Sequence, residues 1–145
     1  MYRMTKTLIT NITYETCLVN NNFLFKKLID FYDKNSCKLF IEKENWAFVA
    51  LLDDLLIGGI NGEIKENTLK IKYLFVLPIF RNCGVGSKLL EDAINYAKHL
   101  NFKSITLNCL EFQHPLFWEK RGFVEECNLF INDQSIVEYF YKLKL

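Results

Sequence analysis

The residues best suited to chemistry are Arg81-Asn82-Cys83-Gly84-Val85-Gly86. The two glycines leave the backbone bare, so a ligand can come close to it. A strand-like apolar run, Tyr73 to Leu77, precedes the hexapeptide, and a helical pattern follows it directly. A loop that opens a helix presents free N–H groups at the positive end of the helix dipole, which is a ready site for an anion. Arg81 adds a positive charge beside it. The same spacing also suits an ordinary strand-to-helix turn, so the surrounding elements must carry the reading. The other reactive residues are scattered. Cys17, Cys37, Cys83, Cys109 and Cys127 include no Cys-x-x-Cys pair, and His99 and His114 make no ligand cluster with them, so no metal site is expected. Free thiols of this kind fit a reducing cytosol, and a cytoplasmic location is the expectation.

The elements that must position the loop are legible on both sides of it. Thr7 to Thr13 alternates weakly and reads as a first strand. From Phe23 to Tyr32, Leu24, Leu28 and Phe31 recur at helical spacing, with Phe25 and Ile29 beside them. Trp46 to Leu52, Leu55 to Ile64 and Thr68 to Leu77 read as three strands of an antiparallel meander, turned at Asp53-Asp54 and at Lys65-Glu66-Asn67. Gly58, Gly59 and Gly62 on the middle strand suggest a bulge or a close approach to the backbone. Pro78 cannot donate to a ladder and ends the third strand. Val85, Leu89, Ala93, Ala97 and Leu100 then mark the clearest amphipathic helix of the chain. Ser104 to Leu110 follows as a strand, so strand, helix and strand form a crossover unit with parallel strands. Pro115 opens a short helix that Gly122 stops, and Phe123 to Ile131 with Ile136 to Leu143 make a closing hairpin around Asn132-Asp133.

Composition excludes several classes. The chain has 145 residues, enough for one domain over 1–145, and half of them are hydrophobic. A formal net charge of +1 supplies no global field for nucleic acid or an acidic membrane, so neither is an expected partner. No apolar run reaches the length of a membrane span, and the first residues lack the apolar core of a signal peptide. A Rossmann-type loop is disfavoured, because the meander before it is antiparallel and the arginine-led spacing differs from Gly-x-Gly-x-x-Gly.

Three pieces coincide in order and spacing: the strand "YLFVLP", the loop "RNCGVG" opening "SKLLEDAINYAK", and, one strand later, "FQHPLFWEKRGF". Together they resemble the GNAT acyltransferase superfamily, whose loop reads Arg/Gln-x-x-Gly-x-Gly/Ala and whose later motif is similar to Phe-Tyr-Glu-Lys-x-Gly-Phe. The Phe-Gln-x-Pro lead-in and "IGGINGEI" resemble small single-domain bacterial members. The resemblance covers roughly residues 46 to 145; the first 45 match only in outline, with one clear helix where the family usually has two. It implies an α/β GNAT fold, a mixed and mostly antiparallel sheet split near the middle, with helices on both faces. It implies acetyl-CoA as acyl donor. The N–H groups of Arg81, Asn82, Cys83, Gly84, Val85 and Gly86, running into Ser87, would cradle the pyrophosphate, at the site already argued from the helix terminus. The backbone at Leu74 and Val76 would pair with the pantetheine arm, as a peptide adds to a sheet edge. Lys88, one turn into the helix, is a further cation near the phosphates or a solvated position.

The chain departs from the family where the proton chemistry belongs. Trp118 stands at the place of the tyrosine that protonates the leaving thiolate, and an indole N–H is no general acid at neutral pH. It remains a candidate for bonding the sulfur or walling the acyl pocket, beside the reading as a core aromatic. Lys70 and Lys72 stand where many members carry a basic glutamate, and Glu111 where many carry an asparagine. Glu63 is the nearest carboxylate for a base; its alternative is a cross-strand ion pair with Lys70 or Lys72. Glu111 and Tyr73 are weaker candidates. Cys83 sits where thiols acidify, but direct transfer in the family gives it no nucleophilic part. The expected activity is direct transfer of an acetyl group to a primary amine on a small molecule or peptide, with a homodimer left open. The rival is a GNAT-fold module that binds acyl-CoA without catalysis.

Overall fold

The computed structural model describes residues 12–16, 45–53, 55–110, 115–131 and 136–145. The strands are β1 (Ile12–Thr16), β2 (Asn45–Leu52), β3 (Leu55–Lys65), β4 (Thr68–Val76), β5 (Ser104–Leu110), β6 (Val124–Ile131) and β7 (Ile136–Lys144). Among the described residues two α-helices accompany them, α1 (Val85–His99) and α2 (Pro115–Glu119). The expected helix at 23–32, Glu111 and the turn at Asn132-Asp133 lie outside the described residues. So do residues 7–11. The described part of the first strand includes Ile12 and Thr13 of its expected range and continues to Thr16, because β2 offers it partners from Leu52 to Phe48.

All seven strands join one sheet in the order β1-β2-β3-β4-β5-β7-β6. Every neighbouring pair is antiparallel except β4 with β5, which is parallel as the crossover requires. Asp53 and Glu66 turn the meander with positive φ of 48° and 53°. The closing hairpin enters with its second strand inward, so β7 lies between β5 and β6. The core lies between the sheet and α1. Val85, Leu89, Leu90, Ala93 and Ala97 of α1 are buried, against Ala50, Ile57, Ile60, Leu69, Ile71, Ile105 and Leu107 of the sheet. Each large aliphatic side chain buried this way contributes about 1.5–3 kcal/mol.

Two features of this packing shape the site. The parallel pairing of β4 with β5 runs only from Thr68↔Ser104 to Ile71↔Leu107. β7, by contrast, holds β5 over its whole length, from Ser104↔Lys144 to Leu110↔Glu138. Beyond Ile71 and Leu107 the two strands therefore part. At the same level, Asn61 and Gly62 of β3 face Tyr73 and Ile71 of β4, which leaves Lys72 as an extra residue in a bulge. The middle-strand glycines suggest a bulge, and the register against β2 steps from Ala50↔Gly58 to Leu51↔Leu56, which leaves Ile57 of β3 as an extra residue beside Gly58. The extra residue at the level of Gly62 is on the neighbouring strand.

Candidate active site

The loop that follows β4 is built tightly. Pro78–Phe80 makes one 3-10 turn, with Phe80 N–H donating to the Leu77 carbonyl at 2.9 Å and Arg81 N–H to that of Pro78 at 3.3 Å. Asn82 and Gly84 then take positive φ of 62° and 82°, which reverses the chain into α1. Gly84 caps the helix without any side-chain hydrogen bond, and its first turn holds no acidic residue. Lys88 N–H is the first to find a backbone acceptor, at Gly84. Among the described residues, the N–H groups of Asn82, Cys83, Gly84, Val85, Gly86 and Ser87 thus have no backbone acceptor. Free donors at the N-terminus of a helix suit an anion. Arg81 differs from the other loop residues, since its own N–H is engaged.

The Arg81 side chain turns back instead, and its Nε donates to the Val76 carbonyl at 3.0 Å. That bond reveals the edge beneath the loop. Leu77 N–H points to β3, where it meets the Ile57 carbonyl at 2.8 Å. Backbone polar groups alternate sides along a strand, so those of Val76 and Leu74 point the other way, towards β5. β5 has parted from β4 there. Leu74 offers a carbonyl and an N–H to the gap, and Val76 an N–H.

A residue that no sequence motif marks closes the far side of the loop. Arg121, just past α2, lies over the Phe117 ring with its guanidinium carbon 3.6 Å from the centroid. It donates to the Phe117 carbonyl at 2.8 Å and to Ser87 Oγ at 2.5 Å. Burial pushes its pKa below the ordinary value. It joins α2 to the first turn of α1 and adds a fixed positive charge beside the cradle. A groove of about 550 Å³, lined by Ser87, Leu90, Glu91, Ile94, Lys120 and Arg121, runs past it. Lys88 is engaged elsewhere. Its ammonium pairs with Asp92 at 2.9 Å and lies 5.8 Å from the centre of the Tyr14 ring. Cys83 is half-buried, its thiol towards the Arg81 carbonyl at 3.5 Å.

Trp118 is buried, with edge-to-face contacts to Phe117 and Phe123 at 5.0 and 5.4 Å. Its indole N–H bonds the Cys109 thiol; burial pushes that thiol's pKa up, and this bond opposes the shift only in part. The donor expected to reach a departing sulfur is thus directed into the core. Tyr141, which the sequence does not single out, is also buried and donates to Glu119 Oε1 at 2.9 Å. Burial comes first among the causes that drive its pKa far upward.

Glu63 lies among lysines on the sheet face turned away from α1. Its carboxylate is 3.3 Å from the Lys72 ammonium and 3.6 Å from that of Lys65, and its side chain is only 13% exposed. Lys70 is its Cα partner on β4. Burial raises its pKa, but the hydrogen bond and charge of Lys72, with Lys65 and Lys70, outweigh that and hold it below the ordinary value. A carboxylate so held is a weak base. Glu63→Gln is therefore expected to change turnover less than a few-fold and to lower stability at neutral pH by under about 1 kcal/mol. The sign follows from the lowered pKa. The stabilisation is complete above the unfolded-state pKa and is lost as pH falls through the lower folded one. Urea midpoints of the two proteins should differ at pH 7 and converge in acid.

A seven-stranded sheet parted beside a helix-capping glycine loop defines an acyl-CoA-type acyltransferase scaffold. The chain belongs to the acetyltransferase (GNAT) family, whose model matches residues 13–123. No curated protein matches it. Solved structures share the fold. An acetyltransferase from Bacillus cereus is 23% identical with a TM-score of 0.66, over 90% of this chain and 96% of that one. A GNAT family acetyltransferase from Elizabethkingia anophelis, solved with acetyl-CoA bound, is 19% identical with a TM-score of 0.66, over 93% and 99%. The PaiA N-acetyltransferase from Thermoplasma acidophilum, in complex with coenzyme A, is 21% identical with a TM-score of 0.61, over 83% and 70%. No helix among the described residues is long and apolar enough to cross a membrane.

Proposed function

We propose that this protein transfers an acetyl group from acetyl-CoA to a primary amine by direct attack on the thioester. The observation that carries the reading is the run of unpaired N–H groups from Asn82 to Ser87, placed at the end of a strand whose own backbone edge is open at Leu74 and Val76. The first would take the pyrophosphate and the second the pantetheine arm, which together lead the thioester towards the bulge at Lys72. Arg81 and Arg121 would add charge on either side of the phosphates. The amine nitrogen then bonds the acyl carbon, the carbon–sulfur bond breaks, and the proton lost by the amine ends on solvent or on the CoA thiolate. Positioning would supply most of the rate. That suits a site in which Trp118 bonds Cys109 and Glu63 is held by lysines.

Those same two observations favour a second reading, a module that binds acyl-CoA and catalyses nothing. Thiol release from acetyl-CoA over a broad amine panel separates the two. Release that depends on the amine, with the acetylated product seen by mass spectrometry, supports transfer. CoA binding with no release from any amine supports the module.

A further inference from the structure

The sheet face turned away from α1 carries excess positive charge where β4 and β5 part. Glu63 is shared by Lys65 and Lys72. Lys70 adds its field to the same carboxylate, yet among the described residues no carboxylate lies within ion-pair distance of its own ammonium. Lys70 lines, with Thr68, Thr106, Asn108 and Phe140, a recess of about 280 Å³ that follows the β4–β5 pairing to its end. Among the described residues, the acids beside the recess are already engaged. Glu126, also in the lining, is 3.8 Å from Lys142, and Glu138 accepts a hydrogen bond from Asn108 at 3.3 Å.

An amine entering here meets ammonium groups. Like charge lowers the pKa of the incoming amine, which favours the neutral, nucleophilic form without a protein base. It also repels any acceptor whose other groups are cationic, as in a polyamine. An acceptor with its own carboxylate cancels the field and gives Lys70 a charge-assisted partner, flanked by the Thr106 hydroxyl and the Asn108 amide. We infer that the acceptor is an amino compound bearing a carboxylate, and that Lys70 engages the carboxylate while the amine is directed at the parting of β4 and β5. The inference rests on the transfer reading above and names the class of substrate for that same site.

The test pairs β-alanine and 4-aminobutyrate with their carboxamides, beside spermidine, in the thiol-release assay. Calorimetry in parallel measures binding of N-acetyl-β-alanine and N-acetyl-β-alaninamide to CoA-loaded protein. Free acids should exceed their amides in kcat/KM, and in binding, by about tenfold or more, and spermidine should be the poorest acceptor. Lys70→Met keeps the apolar stem and should bring both ratios towards one. Equal use of acids and amides, a preference for spermidine, or a ratio unchanged in Lys70→Met overturns the inference. Lys70-dependent binding of the acid without any turnover supports the carboxylate site while removing the transfer reading. Absence of both binding and turnover removes the site.

Discussion

Gly62→Ala is expected to cost about 3 kcal/mol or more, well above the same change at Gly58. A Cβ at Gly62 would overlap the main-chain carbonyl oxygen of Lys70 and crowd the Cα of Ile71. The obstacle is backbone, so no side-chain rotation relieves it. Overpacked sites commonly cost about 1–3 kcal/mol, and a clash with a fixed backbone belongs at the upper end or beyond. That is a large part of the roughly 5–15 kcal/mol that holds a domain together. For a domain of this size the melting temperature should fall by about 10 °C or more. Gly58→Ala is the comparison. There a Cβ would meet Phe75 O at 3.1 Å, a main-chain contact that a shift of a few tenths of an ångström between β3 and β4 relieves. It would also meet Val85 Cγ1 at 3.2 Å and Leu89 Cδ1 at 3.4 Å, side-chain contacts that α1 relieves by a movement of the same size. It should cost about 1 kcal/mol, at the low end of the same range. Thermal and urea unfolding of both variants decides the matter. Equal losses would mean that β3 and β4 do not approach as closely at Gly62 as the bulge requires. The bulge also bears on function, since it sits at the level where β4 and β5 part.

The local elements of this fold are legible in the sequence because their causes are local. Pro78 ends β4 and begins a 3-10 turn, and Val85, Leu89, Ala93 and Ala97 face the sheet as their spacing requires. Ser104 to Leu110 has the bounds its pattern suggests. Strand order is different in kind. That β7 lies inside β6 depends on which long-range pairing buries more surface, and alternation within Ile136–Lys144 carries no sign of it. Glu63 shows both cases at once. Alternation leaves Lys70 and Lys72 as equivalent neighbours. The register sets Lys70 opposite Glu63, while the bulge brings Lys72 to the carboxylate. Arg121 left no mark, since its partner Ser87 is 34 residues away and the short motif around it varies at that position. Trp118 reads from the sequence as a departure from its family's tyrosine. Only its packing reveals that its N–H meets Cys109.

Gly84→Asp should leave the fold in place and remove most of the affinity for CoA. Gly84 has φ of 82° and ψ of 4°, and nothing lies within 4 Å of a Cβ built on it. The conformation costs a non-glycine residue about 1 kcal/mol or a little more, and Asp and Asn tolerate it better than other side chains. On the proposed reading, a pyrophosphate held by the N–H groups of Asn82 to Ser87 would lie against this open space. A carboxylate there meets phosphate oxygens of like charge. Two unit charges about 4 Å apart near a protein surface repel by roughly 4 kcal/mol, and solvent around an exposed loop reduces that. A hundredfold weaker dissociation constant, about 2.7 kcal/mol, is the expected size. Gly84→Asn has nearly the same shape without the charge and should lose about tenfold or less. The two defects should also respond differently to salt. Screening shortens the reach of the introduced carboxylate, so the gap between the variants should narrow as ionic strength rises. Calorimetric titration with CoA at low and high salt measures all of this, with the ligand-induced rise in melting temperature as a second readout. If Gly84→Asp binds CoA as the wild type does, the loop is not the phosphate site. If the Asp and Asn variants fail equally at every salt concentration, bulk rather than charge closes the cradle, and the N–H groups lose their assigned electrostatic part.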